Sequence, residues 1–145
     1  MIKEKIRIMI ADDHKMVRET WKLLLQLQDS FEIVGECVNG AEAIEMSQVL
    51  KPDIILMDIN MAPVNGFEAT RKIIEVAPEI KIIGLSVNNL AAYARNMLRS
   101  GAKGYVTKHS SPEEMIDAIH EVIKGGTYIC KEIKDKMKED NDHSS

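Results

Sequence analysis

"IILMDINMAPVNG", residues 54–66, decides how the rest of the chain is read. Ile54 to Met57 are apolar without alternation, the mark of a strand covered on both faces. The run stops at a carboxylate, Asp58, and passes at once into the turn formers Asn60, Pro63, Asn65 and Gly66. A charge closing a buried strand marks a strand end that faces something other than core.

Outward from this stretch, short apolar runs alternate with helical spacing. "IRIMIA" (6–11) is a candidate strand, followed by Val17, Trp21, Leu24 and Leu25 at helical intervals. "FEIVGECV" (31–38) reads as the second strand. Asn39 with Glu42 three residues later caps a helix reaching about Leu50. Residues 53–58 form the third strand, with a helix from about Asn65 to Val76. "KIIGLS" (81–86) is the fourth, followed by a helix marked by Leu90, Ala94, Met97 and Leu98 and stopped by Gly101. "GYVT" (104–107) is the fifth. Ser111, Pro112 and Glu114 open a last helix as N-cap, N1 and capping-box partner, and its expected apolar face is Met115, Ile119, Val122 and Ile123. Gly125–Gly126 ends it. Five strands alternating with five helices predict an α/β fold, an open five-stranded parallel sheet with helices on both faces. The polar run "KEIKDKMKEDNDHSS" (131–145) reads as a fraying tail.

The chain has 145 residues, 45% hydrophobic and 29% charged, enough for one domain with a full core. A net charge of -4 argues against nucleic-acid binding by this piece alone. No apolar run approaches the roughly 18 residues of a membrane span. Lys3, Lys5 and Arg7 interrupt any signal-peptide pattern, so the expected compartment is the cytoplasm. Cys37 and Cys130 then read as reduced thiols.

Open parallel sheets bind ligands outside the carboxyl ends of their strands. Those ends carry Asp12 and Asp13, Asp58, Ser86, and Thr107 with Lys108. Each alone has a plain explanation: a helix cap for Asp12, a turn for Asp58, a cap for Ser86, a solvated charge for Lys108. Together with Asp13 these four are three carboxylates, a hydroxyl and an ammonium on one sheet edge. Two like unit charges at 4 Å repel by roughly 4 kcal/mol at an effective dielectric of 20, so such a cluster takes up a proton, a cation or both. Oxygen ligands favour a hard ion, and few protein ligands suit Mg²⁺. A carboxylate beside Mg²⁺, a lysine and a hydroxyl can attack phosphorus to form an acyl phosphate.

In "ADDH" (11–14), "LMDINMAPVNG" (56–66), "GLSVN" (84–88) and "GYVTKHS" (104–110), in that order, the chain resembles the receiver domain of two-component response regulators over about residues 5–126. The resemblance implies a flavodoxin-like strand order 2-1-3-4-5. It makes Asp58 the phosphoacceptor, Asp13 a direct Mg²⁺ ligand, Asp12 a ligand acting through water, and Asn60 a backbone-carbonyl ligand. Ser86 and Lys108 would meet phosphoryl oxygens. Tyr105 would be the aromatic that swings inward as Ser86 moves; a half-buried aromatic with a wet hydroxyl is its plainer reading. The domain would be a switch rather than an enzyme, taking its phosphoryl group from a sensor histidine kinase, with room for a homodimer.

Two positions depart from the family pattern. Ala62 stands where many receivers have Pro, with Pro63 one later. His109 follows Lys108 where Pro with a preceding cis bond is frequent. A cis bond without Pro costs about 2.5–4 kcal/mol, so this peptide is either strained cis or trans in a rearranged loop; cis is the expectation. Residues 122–137 resemble the passage toward a C-terminal helix-turn-helix domain, so DNA would be reached only through an output domain outside these 145 residues. The expected division is a receiver over 1–126 and a linker or helical extension with a polar tail over 127–145. An excised receiver is favoured over a free-standing one. Rival readings are a haloacid-dehalogenase-like phosphohydrolase, whose nucleophile would follow the first strand, a phosphorylation-independent scaffold, and a flavin-binding domain.

Overall fold

Strand β1 (Ile6–Ala11) lies between β2 (Phe31–Cys37) and β3 (Ile54–Asp58), and the sheet continues through β4 (Lys81–Ser86), β5 (Gly104–Thr107) and β6 (Tyr128–Ile129). The computed structural model describes residues 4–143. All pairings are parallel, in the order β2-β1-β3-β4-β5-β6. The first five strands follow the expected order, and the sixth is an addition. Its two residues were too few for a periodic signal, but Tyr128 N and Cys130 N donate to Lys103 O and Tyr105 O at 3.0 Å and fix it on the edge.

The helices are α1 (Lys15–Gln26), α2 (Gly40–Leu50), α3 (Gly66–Val76), α4 (Ala91–Arg99), α5 (Pro112–Ile123) and α6 (Lys131–His143). Asn39, Asn65 and Ser111 cap α2, α3 and α5 by accepting from Glu42 N, Glu68 N and Glu114 N. The capping box expected at Ser111 forms only in this half. The Glu114 carboxylate turns away to accept from Lys131 N at 2.9 Å and the Tyr128 hydroxyl at 3.1 Å. The start of α6 offers unpaired N–H groups and a positive dipole end, a better partner than the start of its own helix.

The run expected to fray is therefore helical as far as His143, with Ser144 and Ser145 outside the described residues. Ile133 is its anchor and is fully buried. On α5 the core face is Met115, Ala118, Ile119 and Val122, while Ile123 is 37% exposed, because it sits at the solvent edge of the stripe.

Strand β3 is buried at every residue, Asp58 included. The loop behind it is closed by Gly66 N donating to Ile59 O at 3.2 Å. A Cβ at Gly66 would stand 2.3 Å from Asp58 O and 2.7 Å from the Ile59 Cα, both backbone atoms. Gly66→Ala is expected to lower the stability by about 2–3 kcal/mol through overpacking, measured as a shift of the urea midpoint at unchanged m-value. An unshifted midpoint would show that the loop after β3 gives way freely.

Ala62–Pro63 is cis, and Lys108–His109 is trans, contrary to expectation. The chain turns after β5 with Ser110 N donating to Thr107 O at 3.1 Å, while Thr107 Oγ1 lies 3.1 Å from both Ser110 Oγ and His109 Nδ1. This turn closes with an ordinary peptide, so nothing offsets the intrinsic cost of a cis bond without proline.

Candidate functional site

The parallel register carries β1, β3, β4 and β5 to one edge. Ala11 pairs with Met57, Asp58 with Leu85, and Ser86 with Thr107, so the residues that follow converge. Lys108 N donates to Ser86 O at 2.8 Å, which fixes the lysine backbone against the end of β4. Asp12 N donates to Cys37 O at 3.0 Å, and Arg18 Nη1 donates to Asp12 O at 2.8 Å.

From that frame the Lys108 side chain reaches inward. Its Nζ is 2.7 Å from Asp12 Oδ2 and 3.3 Å from Asp58 Oδ2, and the side chain is 5% exposed. Asp12, Asp58 and Ser86 are fully buried, whereas the Asp13 side chain is 44% exposed at the rim. Asn60 N donates to Asp58 Oδ1 at 3.0 Å, and Asn88 N donates to Ser86 Oγ at 2.9 Å. Serine's hydroxyl hydrogen is thereby left for another acceptor.

Burial pushes the Asp58 carboxyl up to about 6. The Asn60 N–H opposes this, the Asp12 charge adds to it, and Lys108 pulls back. Asp12 Oδ2 and Asp58 Oδ2 are buried, and the lysine ammonium is the one group that faces both among the described residues. Two such oxygens with the Asp13 carboxylate form a hard, anionic donor set that fits a small divalent ion. Ligand atoms of Asp12, Asp13, His14 and Asp58 lie within 4.8 Å of one another.

The structure thus brings together Asp12, Asp13, Asp58, Asn60, Ser86 and Lys108. Tyr105 is fully buried, so the half-buried, wet reading does not hold. Burial pushes its phenol up to about 12, with the Ser86 hydroxyl acting in the opposite direction. His14, the residue after the acidic pair, belongs to the cluster. Its Nδ1 is 3.1 Å from Asp12 Oδ1 and Asp13 Oδ1 and 3.3 Å from Lys108 Nζ. Its adjacency to the acidic pair was the one available signal. Arg18, which holds both the Asp12 carbonyl and, at 3.4 Å, Glu36, carried no signal before the helix was placed.

Comparisons with known proteins converge on one family. Transcriptional regulatory protein DegU of Brevibacillus brevis is 39% identical over 149 residues, covering 97% of this chain and 63% of DegU. Oxygen regulatory protein NreC of Staphylococcus carnosus (strain TM300) is 39% identical over 125 residues, covering 86% of this chain and 58% of NreC. The chain therefore spans less than two thirds of the length of these relatives. A two-component response regulator of the LuxR family from Aurantimonas sp. SI85-9A1 superposes with a TM-score of 0.91 at 31% identity, over 95% of this chain and 99% of that one. The family model described as response regulator receiver domain matches residues 8–120. With the acidic cluster at the strand ends and a solved relative matched along almost its full length, this chain belongs to the response regulator receiver family.

Proposed function

We propose that Asp58 accepts a phosphoryl group from a sensor histidine kinase and that the domain thereby switches an output, which in the whole protein is transcription. The observation that carries this reading is the Lys108 ammonium between two buried carboxylates, 2.7 Å from Asp12 and 3.3 Å from Asp58, with a serine hydroxyl on the neighbouring strand end. At neutral pH a carboxyl titrating near 6 is ionised and can act as nucleophile. Its oxygen bonds to phosphorus while the bond to the donor breaks and the donor departs as imidazole or, from acetyl phosphate, as acetate. Lys108 and Ser86 stabilise the transferred group's oxygens by charge and by hydrogen bond.

Asp12, Asp13, Asp58 and the Asn60 carbonyl would hold Mg²⁺. Bound there, the ion would neutralise charge on the phosphoryl oxygens and relieve repulsion between the acids. The phosphoryl group adds about -1.5 to -2 charge. By drawing Ser86 and Lys108 toward it, the group favours one arrangement of the β4–α4 and β5–α5 loops, with Tyr105 filling the space behind Ser86. The chemistry is one transfer per activation with slow self-hydrolysis, not steady turnover of an ester.

The receiver is read as residues 1–126 and the remainder as a linker or helical extension toward an output domain, with a second copy of the chain as a partner. Among the described residues no helix is long and apolar enough to cross a membrane, which is compatible with the cytoplasmic reading.

Intact-mass spectrometry after treatment with acetyl phosphate and Mg²⁺ tests the assignment: one added phosphoryl group is expected, and an unchanged mass refutes it. Ser86→Ala is expected to label still but to lose most of the phosphorylation-dependent conformational change, read by amide exchange in the β4–α4 loop. A full response in that variant would remove Ser86 from the coupling.

A further inference from the structure

Helix α6 packs against α4 and β5, and its first turn reaches both loops that flank the acidic site. Asn89 Nδ2 donates to Glu132 Oε2 at 3.1 Å, and His109 Nδ1 lies 3.8 Å from Glu132 Oε1, within ion-pair range when the imidazole is protonated. Asn89 is three residues beyond Ser86 in a loop tied from within: Asn88 N bonds Ser86 Oγ, and Leu90 N bonds Asn88 Oδ1 at 2.9 Å. His109 is the residue after Lys108. One carboxylate on α6 therefore grips the outer side of both segments whose inner side chains face Asp58.

The helix carrying that carboxylate is firmly seated. Ile133 and Cys130 are fully buried, Lys131 N is held by Glu114, and Cys130 N is bonded to Tyr105 O on β5. Each contact of Glu132 is solvent-exposed and weak alone. The two act together because one rigid element makes both, and a two-state loop pair needs only a modest bias.

We propose that Glu132 is a positioning residue, holding the β4–α4 and β5–α5 loops in their unmodified arrangement, so that loading of Asp58 and the seating of α6 oppose each other. The proposal rests on the phosphoacceptor reading of Asp58. Movement of Ser86 and Lys108 toward a group on Asp58 draws Asn89 and His109 with it, away from a helix fixed by Ile133. Linkage makes the effect reciprocal: a filled site loosens α6, and loss of the Glu132 grip tightens ligand binding at the site.

The test uses the full chain with beryllofluoride and Mg²⁺ as an equilibrium stand-in for the phosphoryl group. Glu132→Ala is expected to bind it more tightly by about fivefold, the low end of ordinary coupling between sites. Glu132→Gln, which keeps an acceptor for Asn89 but loses the ion pair with His109, is expected to fall between the parent and Glu132→Ala. In the parent, beryllofluoride is expected to speed amide exchange at the start of α6 by a similar factor. In Glu132→Ala that exchange is already fast and no longer responds. Equal affinity in the parent and Glu132→Ala, with α6 exchange indifferent to beryllofluoride, would overturn the inference while leaving acetyl phosphate labelling of Asp58 intact. A parent that neither labels nor binds beryllofluoride would overturn the phosphoacceptor reading and this inference with it.

Discussion

Asp58→Asn is expected to abolish labelling by acetyl phosphate and at the same time to stabilise the fold near neutral pH by about 2 kcal/mol. The first effect follows from chemistry, since an amide offers no anionic oxygen to phosphorus. The second follows from linkage. Asp58 ordinarily titrates at 3.8 and in the fold at about 6, mainly through burial. A raised carboxyl favours the folded state most fully below its unfolded value, and that contribution is lost as pH rises through the folded value. About two pKa units correspond to roughly 3 kcal/mol; Asp58 is buried, so little of this is screened away. Asparagine has nothing to ionise, so the gain is expected near neutral pH and should vanish near pH 4. Urea midpoints of the two proteins across that range measure it. Mg²⁺ should raise the parent's midpoint at neutral pH, less so as Asp58 gains its proton, and should raise the variant's little. A variant less stable than the parent at every pH would mean that the Asp58 charge is compensated where it lies, and would contradict the buried-charge account.

The alternation of apolar runs and helical spacing was readable because the central strands are continuous apolar runs and three helices open on a polar capping residue. Asn39, Asn65 and Ser111 mark three helix starts from local chemistry alone. The meeting of Asp12, Asp58 and Lys108 was readable for a different reason: parallel strands put their carboxyl ends on one edge, so residues far apart in sequence could be assigned to one place. Where the reading failed, the deciding contact was tertiary. Helix α6 has few apolar residues, and its seating depends on the buried Ile133 and on a carboxylate of α5. No local pattern contains either fact. His14 could have pointed anywhere after two acids, and only the placement of β1 and α1 turns its ring toward both. The peptide after Lys108 was assigned by resemblance instead of from its own turn, and the turn proved ordinary.

The lysine is the group on which the unmodified site depends most. Lys108→Met keeps length and apolar stem but removes the ammonium, leaving Asp12 and Asp58 buried against each other with Oδ2 atoms that have no hydrogen-bond donor. Breaking a buried ion pair by deleting one partner typically costs 3–5 kcal/mol. A loss of about 3 kcal/mol is expected near neutral pH, because water can still reach the rim at Asp13, which is 44% exposed. The pH dependence identifies the cause. Without the ammonium the Asp58 carboxyl titrates higher still, so the deficit should shrink on acidification as the acid takes up a proton, and Mg²⁺ should recover part of it near neutral pH. The same substitution in an Asp58→Asn background should cost less by about 1–2 kcal/mol, since one charge then remains to be compensated. Labelling of Asp58 in Lys108→Met should be slower on the order of a hundredfold, as expected for loss of one fixed partner of a developing anion. An equal cost in both backgrounds, independent of pH, would mean that Lys108 contributes by packing its stem, and the charge-bridging role given to it would fail.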